Sequence, residues 1–350
     1  MSVRLKKSDD IILIDSNQSL EHQFSKLIHS LHPSKIVILT DENVYEHCLP
    51  VLDESLPQIS NSEVIVIAPG EESKSIDVCE NIWQTLLEIN ADRNTLLINL
   101  GGGVVTDIGG FAASVYKRGI AFVHVPTTLL AMTDAAIGGK TGINFSGIKN
   151  TIGTFQNPQK VWIYPLFLKT LSYRQRLLGY AETVKHFFLG ANLEENKIFQ
   201  PQLDNETFLN EIIIKSAKFK QQVVENDFRE SGLRKILNFG HTIGHAVETV
   251  LQISHGEAVI IGIIAELYLS QKHGFSDLEK YTGKLVQLYS ELPEIPEQKF
   301  SDVIGKIYND KKNTHKQITF VALESVGHPV LKHIDTEEII KALAFFNNCK

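Results

Sequence analysis

The first half of the chain alternates short runs of aliphatic and β-branched residues with longer segments of mixed polarity. The runs predicted as strands are residues 11–14, 35–39, 63–67, 95–99 and 121–125. Strands that alternate with helices along a chain are typical of a mostly parallel sheet with helices on its faces. Residues 1–165 are therefore predicted to form an α/β domain with such a sheet.

The pattern changes after about residue 164. Long segments with helical spacing of apolar positions, among them 210–226 and 241–272, follow with one clear late strand at 317–323. The stretch 291–297, rich in Pro and Glu, is typical of a loop. We therefore predict a mainly α-helical second domain over residues 166–350.

The second domain contains a histidine pair with helical spacing. His241 and His245 are four residues apart, so both imidazoles lie on one helix face, and His255 follows shortly after. A lone histidine is usually an ordinary core or surface group, but neutral imidazole is also a common zinc ligand. Gly240 and Gly244 each cost about 1 kcal/mol in a helix interior, which indicates close approach to the backbone.

The pair is not the His-Glu-x-x-His helix of metalloproteases. Thr242 stands where that motif carries its general-base glutamate, so peptide hydrolysis is disfavoured. A metal site of another kind, completed by a carboxylate elsewhere in the chain, is the interpretation that the pair favours.

Two glycine-rich stretches in the first domain point to anion binding. Gly101, Gly102 and Gly103 follow a predicted strand and open a helix, where free backbone N–H groups favour a phosphate. This is not a GxGxxG fingerprint, so a simple tight turn remains an alternative. In the stretch 138–142 a P-loop is excluded because Asp134 replaces its first glycine, and Lys140 is interpreted as a point charge for an anion.

Composition and charge exclude several classes of protein. The 350 residues are 43% hydrophobic and 21% charged, which is typical of a globular chain. A net charge of −7 without basic blocks argues against nucleic-acid binding. Cys48, Cys79 and Cys349 are scattered, so neither a disulfide framework nor a thiolate metal site is expected. Without a signal-peptide pattern or a long apolar stretch, the expected location is cytoplasmic and no membrane partner is expected.

A series of motifs extends over nearly the whole chain, at residues 40–41, 70–74, 101–107, 118–120, 125–131, 134–142, 149–150, 181–185, 220, 232–241, 255–257 and 310–312. Taken in this order, they resemble the motifs of the 3-dehydroquinate synthase family of sugar-phosphate cyclases. The resemblance implies an NAD-binding α/β domain, a helical metal-binding domain, an active site in the cleft between them, and a homodimer.

The resemblance also implies a ligand set for Zn²⁺, with Co²⁺ as an alternative. The ligands would be Glu182, His241 and His255, while His245 would face the substrate phosphate. Only one histidine of the helical pair is then a ligand, and Glu182 is the missing carboxylate. Carboxylate and two imidazoles form a known catalytic zinc set.

The implied reaction converts 3-deoxy-D-arabino-heptulosonate 7-phosphate into 3-dehydroquinate and phosphate, a step of the shikimate pathway. It proceeds by transient oxidation with NAD, phosphate elimination, re-reduction and aldol closure. Arg234 would bind the substrate carboxylate, with Lys185, Lys220 and Asn238 on ring hydroxyls or the carboxylate edge. The residues implied for the phosphate are Lys140, Asn150, His245, Lys311 or Lys312, and Arg118 contributed by the partner subunit.

The cofactor contacts that the resemblance implies come from the first domain. Asp41 would take ribose hydroxyls, which favours NAD over NADP. The full set is Asp41, Glu71, Lys74, Gly102, Gly103, Val104, Asp107, Thr127, Thr128, Asp134, Lys140 and Lys149.

The chain departs from the family pattern at Thr106, at Phe145-Ser146, at Phe228 and at Ser172. We expect Thr106, which replaces a glycine, to crowd the pyrophosphate. Three alternatives stay open: another sugar-phosphate cyclase that makes an inosose or a valiolone, a metal-dependent polyol dehydrogenase, and a catalytically silent binding protein. Arg234 favours a substrate with a carboxylate.

Overall fold

The computed structural model describes residues 10–308 and 318–349. The chain divides into two compact units between Ser172 and Tyr173. The domain boundary predicted from the sequence, between residues 165 and 166, precedes this division. Among the described residues no helix is long and apolar enough to cross a lipid bilayer.

The first unit is built on a parallel sheet. Its strands are β1 (Ile11–Leu13), β2 (Ile36–Asp41), β3 (Glu63–Ile67), β4 (Leu96–Gly101), β5 (Ala121–Pro126), β6 (Lys140–Phe145), β7 (Ile148–Phe155) and β8 (Val161–Ile163). Six of them pair in parallel in the order β1-β8-β5-β4-β2-β3. The predicted mostly parallel sheet is therefore confirmed.

Helices cover this sheet, and three of them begin at side-chain caps. They are α1 (Asn17–Leu31), α2 (Glu42–His47), α3 (Leu49–Ser55), α4 (Ile76–Glu88) and α5 (Gly103–Val115). Ser16 and Ser75 accept hydrogen bonds from backbone N–H groups of the first turns of α1 and α4. Gly109 of α5 has no room for a side chain, since a Cβ there would lie 2.1 Å from Oδ1 of Asn99 on β4.

The strand order reverses at one place in the sheet. From β2 the chain proceeds to β3 on one side, and β4 then pairs with the other side of β2. In open α/β sheets ligands bind outside the carboxyl ends of the strands at such a switch point. Asp41 ends β2 and Gly101 ends β4, so the topology itself marks the β4–α5 loop.

The strands β6 and β7 form an antiparallel hairpin that the sequence analysis did not predict. Ser146 and Gly147 connect them with φ of 51° and 75°. Two consecutive positive φ angles are characteristic of a type I′ turn, whose twist suits a hairpin. The unusual Phe145-Ser146 segment is therefore the tip of this hairpin.

The second unit is mainly helical, as predicted. Its helices are α6 (Tyr173–Phe188), α7 (Glu195–Phe199), α8 (Glu206–Asn226), α9 (His241–Leu251), α10 (His255–Ser270), α11 (Leu278–Leu288), α12 (Phe300–Tyr308) and α13 (Thr336–Asn348). The strands β9 (Ile318–Ser325) and β10 (His328–Ile334) pair as an antiparallel hairpin. The prediction of a single late strand was therefore wrong.

The predicted helical segment 241–272 is helical over most of its length, but the prediction that Gly240 lies in a helix interior was wrong. The segment is two helices, because Gln252 leaves α9 with a φ of 54° and Ser254 starts α10 with a capping box to Glu257. Gly240 lies just before α9 with a φ of 77°, not inside a helix. The close approach that Gly240 and Gly244 allow is helix packing. A Cβ on Gly244 would lie 2.7 Å from the Ala258 carbonyl oxygen of α10, and one on Gly240 would lie 3.0 Å from that of Val259.

Candidate metal centre and nucleotide-binding loop

A buried carboxylate meets two imidazoles in the second unit. Glu182, on α6, is 1% exposed. Its Oε1 lies 3.3 Å from Nε2 of His241 and 3.2 Å from Nε2 of His255. All three groups offer ligand atoms within 4.8 Å of one another. The arrangement matches a carboxylate–bis-histidine ligand set.

Each imidazole is oriented by a partner at its other ring nitrogen. Nδ1 of His241 lies 3.0 Å from the Phe239 carbonyl oxygen, and Nδ1 of His255 lies 3.3 Å from Oε2 of Glu248. Such contacts fix the ring so that Nε2 faces a metal. The sequence analysis missed Glu248, because its contact with Nδ1 of His255 forms only when the two helices pack together.

Burial and neighbouring charges act in opposite directions on the pKa values of this cluster. Burial alone would raise the pKa of Glu182, but Lys185 and His241 hold it well below its usual value. Burial would lower the pKa of His255, yet the carboxylates of Glu182 and Glu248 raise it to about 9. Burial, with help from Lys185, lowers the pKa of His241. Glu182 is therefore an anion at neutral pH.

The two oxygens of Glu182 have different partners. Its Oε2 forms a buried ion pair with the Lys185 ammonium, whereas its Oε1 faces Nε2 of both His241 and His255. A carboxylate oxygen and two imidazole nitrogens are ligand atoms that zinc accepts. The donor set therefore fits a divalent cation.

A second missed residue fixes the start of α9. The carboxylate of Glu266, fully buried on α10, accepts hydrogen bonds from the backbone N–H groups of Gly240 at 2.8 Å, Thr242 at 3.1 Å and Ile243 at 3.4 Å. A carboxylate at a helix N-terminus satisfies its unpaired donors and complements the helix dipole. His241 is thereby held in the first turn of α9.

The structure places the other predicted residues of the second unit as follows. The His245 ring lies 4.8 Å from that of His241, centroid to centroid. Arg234 is 2% exposed and donates from Nη1 to the Phe228 carbonyl oxygen at 2.7 Å. Because that contact uses the backbone of Phe228, the departure from the family pattern there leaves it intact. Asn238 donates to Oε1 of Glu230 at 2.7 Å.

Two predicted lysines are buried in the second unit. Lys185 is 1% exposed on α6 and Lys220 is 6% exposed on α8. A lysine is rarely buried without a specific partner, and the ion pair with Glu182 accounts for Lys185. Lys311 and Lys312 lie outside the described residues.

In the first unit the β4–α5 loop presents backbone donors. Gly102 precedes α5 without a side-chain cap, so the N–H groups of the first turn have no capping side chain. A Cβ on Gly102 would lie 3.1 Å from Cγ2 of Thr128. Thr106 is 1% exposed and donates to the Gly103 carbonyl oxygen at 3.0 Å, so its hydroxyl bonds within its own helix.

A polar network joins several predicted residues of this unit. The ammonium of Lys74 donates to Oδ2 of Asp107 at 2.8 Å and to Oδ1 of Asn150 at 2.6 Å. Asn144, which was not predicted as a site residue, donates to Glu71 at 2.9 Å. Burial would lower the pKa of Lys74, but Asp107 and Glu71 outweigh it and raise the pKa. The ammonium therefore stays charged.

The remaining predicted residues of the first unit lie at strand ends and turns. Asp41 caps α2 by accepting from the Val44 N–H at 3.1 Å. The Thr127 hydroxyl is buried and makes no hydrogen bond among the described residues. Asp134 belongs to the π-helical turn Ala131–Ala135. Lys140 and Lys149 lie on the β6–β7 hairpin, and Val104 is in the first turn of α5.

Comparison with known proteins decides the family. The family described as 3-dehydroquinate synthase N-terminal matches residues 64–177, and the one described as 3-dehydroquinate synthase C-terminal matches residues 179–313. The chain belongs to the 3-dehydroquinate synthase family. The resemblance seen in its motifs is thus confirmed.

Individual relatives of the 3-dehydroquinate synthase family match over almost the whole chain. A 3-dehydroquinate synthase from Parabacteroides distasonis is 38% identical over 339 residues, 94% of this chain and 96% of the relative. One from Pyrococcus furiosus is 41% identical over 328 residues, 91% and 94% of the two chains.

Among solved structures, a 2-epi-5-epi-valiolone synthase from Streptomyces hygroscopicus with bound NAD⁺ and Zn²⁺ is 24% identical. It has a TM-score of 0.84 and covers 100% of this chain and 99% of its own. At that identity the likeness shows only that this chain and the valiolone synthase share a fold.

Arg118, predicted to act across a subunit interface, lies in a strained turn. Lys117 and Arg118 have φ of 47° and 69°, and Gly119 follows with 108°. The turn is held by the Gly119 N–H, which donates to the Tyr116 carbonyl at 2.8 Å, and by the Tyr116 hydroxyl, which donates to the Ala91 carbonyl at 3.0 Å. Backbone strain that the surroundings impose often marks a functional segment.

We expect Lys117→Gly to raise the free energy of unfolding by about 0.5–1 kcal/mol. A left-handed conformation costs an L-residue about 1–2 kcal/mol, and glycine removes this cost. Glycine also makes the unfolded chain more flexible, which offsets about 0.4–1 kcal/mol of the gain. Urea unfolding of Lys117→Gly beside Lys117→Ala, which keeps the strain, measures the difference. Equal unfolding midpoints for the two variants would show that the backbone at Lys117 is not strained.

Proposed function

We propose that the chain converts 3-deoxy-D-arabino-heptulosonate 7-phosphate into 3-dehydroquinate and phosphate, using NAD and a divalent cation. The observation that carries the proposal is the convergence of the buried Glu182 and His241 with the partly buried His255 in a member of the 3-dehydroquinate synthase family. The reaction would be that of a lyase that eliminates phosphate, and the 38% identity to a 3-dehydroquinate synthase supports this part of the proposal.

The cation would be Zn²⁺ or Co²⁺ bound by Glu182, His241 and His255. The convergence of Oε1 of Glu182 with Nε2 of both histidines, and the outer contacts of both imidazoles, support this assignment. Carboxylate and imidazole suit either ion. The Zn²⁺ in the valiolone synthase is consistent with it.

NAD would bind at the β4–α5 loop. The uncapped amides after Gly102, the absence of a side chain there and the buried Thr127 hydroxyl support a pyrophosphate at this helix N-terminus. Asp41, at the end of β2 beside the switch point, would accept from ribose hydroxyls and favours NAD over NADP. The other proposed contacts are Glu71, Lys74, Gly103, Val104, Asp107, Thr128, Asp134, Lys140 and Lys149.

When bound, NAD⁺ would accept a hydride from the substrate and return it. The cation would polarise the oxygen on the carbon that is oxidised. The chain's own groups bind and orient the substrate. We assign the phosphate to Lys140, Asn150 and His245, with Arg118 acting from the partner subunit of a homodimer. His245 can also move a proton as phosphate leaves. Arg234 binds the carboxylate, with Lys185, Lys220 and Asn238 beside the hydroxyls.

Phosphate release tests the proposal. Purified protein given the heptulosonate phosphate should release inorganic phosphate only with NAD⁺ and a divalent cation present, and a chelator should stop release until Zn²⁺ or Co²⁺ is restored. NADH should not accumulate, because the cofactor is regenerated. Release without NAD⁺, or NADH formed in proportion to product, would contradict the proposal, and the second result would indicate a dehydrogenase.

A further inference from the structure

Glu248 is a buried acid on α9 that the proposed reaction does not use. It is 8% exposed, and its Oε2 lies 3.3 Å from Nδ1 of His255. An acid on a largely apolar helix face is costly to bury unless its charge is compensated. Its position next to a proposed metal ligand therefore needs a reason.

The two ring nitrogens of His255 face different carboxylates. Nε2 lies 3.2 Å from Glu182 and Nδ1 lies 3.3 Å from Glu248. If Nδ1 donates its proton to Glu248, Nε2 keeps a lone pair for a cation that Glu182 also binds. His241 is oriented by a backbone carbonyl, which no substitution removes. His255 is oriented by the side chain of Glu248, so a substitution there can test the role of the outer partner.

The charges support the same role. Glu182 and Lys185 carry opposite charges in a buried ion pair and cancel. A divalent cation held by this carboxylate and neutral imidazoles would leave a buried charge of two. Glu248 offsets half of that charge, and buried charge without compensation is strongly unfavourable.

We propose that Glu248 is a positioning residue that orients His255 and compensates the charge of the bound cation. The inference rests on the proposed metal site and adds an outer carboxylate to it. Outer partners of metal-bound imidazoles contribute about 10–100-fold in metal affinity. Glu248 would act through His255, without itself touching the cation.

His245, Glu248 and His255 also lie close enough to form a second ligand group. Burial of Glu248 and its contact with His255 favour the orienting role. A cation bound to Nδ1 of His255 would displace the proton that Nδ1 donates to Glu248, and the contact that orients the ring would be lost. Stoichiometry separates the two possibilities.

The test measures metal binding on the full chain, with no substrate present. Zn²⁺ affinity is measured by competition with a chromophoric chelator for the wild type, Glu248→Ala and Glu248→Gln. We expect Glu248→Ala to bind Zn²⁺ about 10–100-fold more weakly. Glu248→Gln, which keeps an acceptor oxygen, should recover part of the loss. With Co²⁺, the absorption bands should shift in Glu248→Ala because the imidazole is reoriented.

Glu257→Ala is the matched control. It removes a carboxylate two residues from His255 and breaks the capping box of α10, so it should lower the thermal stability. Its Zn²⁺ affinity should stay within about fivefold of the wild type, the range of a partly exposed charge. A purely structural role for Glu248 would make the two variants alike, with lower stability and unchanged affinity.

Three results would overturn the inference. They are unchanged Zn²⁺ affinity in Glu248→Ala, an equal loss in Glu257→Ala, or a second equivalent of Zn²⁺ in the wild type that Glu248→Ala loses. Wild-type protein that binds no Zn²⁺ or Co²⁺ would overturn the proposed function and this inference with it. Tight wild-type binding with unaffected variants would overturn the inference alone.

Discussion

His255→Ala is expected to lose metal and activity together, whereas His245→Ala keeps the metal and loses only turnover. His255 presents Nε2 to Glu182 at 3.2 Å, so its removal deletes one of three proposed ligands. The loss of affinity should exceed the roughly 10–100-fold that an outer contact contributes. Polarisation by a cation contributes several kcal/mol, so activity should fall by about 10³-fold or more.

His245→Ala is a matched control, because it makes the same substitution at a histidine whose ring lies 5.9 Å from that of His255. Its turnover should fall by about 10²-fold, the smaller end of what a proton-transfer group contributes. Elemental analysis of both purified variants, beside phosphate release, makes the comparison. Stoichiometric zinc in the His255→Ala protein would show that His255 is not a ligand. Zinc lost only from the His245→Ala protein would show that His245 is the ligand and His255 the proton-transfer group.

The buried sheet was the most predictable part of the fold. The strand β4 is buried along its whole length, and a strand covered on both faces appears as a continuous apolar run. The strand β8 is only three residues long and has Trp162 at its centre instead of an aliphatic residue, so the pattern did not mark it. The hairpin strand β10 is half exposed and carries His328, Pro329 and Lys332, so its pattern resembles a loop.

The break between α9 and α10 was also predictable in principle. Ser254 and Glu257 form the Ser-x-x-Glu signature of a capping box, which marks a new helix start. The continuous apolar content of residues 256–270 hid it, because α10 is buried on almost every side. Periodicity cannot locate the end of a helix that has no polar face.

The candidate site was predictable only where motifs preserve it. Helical spacing placed His241 and His245 on one face, but spacing does not show which ring nitrogens converge with a distant carboxylate. The motif match supplied Glu182, whose proposed role as a ligand stays a prediction. Glu248 and Glu266 were missed because their partners, an imidazole Nδ1 and the backbone of another helix, become neighbours only after folding.

The other large expected effect concerns substrate choice by Arg234. The side chain is 2% exposed in a segment where Asp227 accepts from the backbone N–H groups of Gly232 at 2.7 Å and Arg234 at 3.0 Å. Burial would raise the pKa of Asp227, but these donors lower it to about 2. The braced segment holds the guanidinium in a fixed position, where its planar donors suit a carboxylate.

A neutral sugar phosphate would leave that buried guanidinium without its intended partner, and sites built on such pairing discriminate by about 10⁴-fold or more. The wild type should therefore release phosphate from the heptulosonate phosphate but hardly at all from glucose 6-phosphate or sedoheptulose 7-phosphate. Arg234→Leu should lose most of its kcat/KM for the acid substrate while its NAD and metal content stay unchanged. Arg229→Leu, at an exposed arginine of the same segment, should behave as the wild type. Comparable turnover of either neutral sugar by the wild type would instead place the chain's activity with the cyclases that make inososes or valiolones.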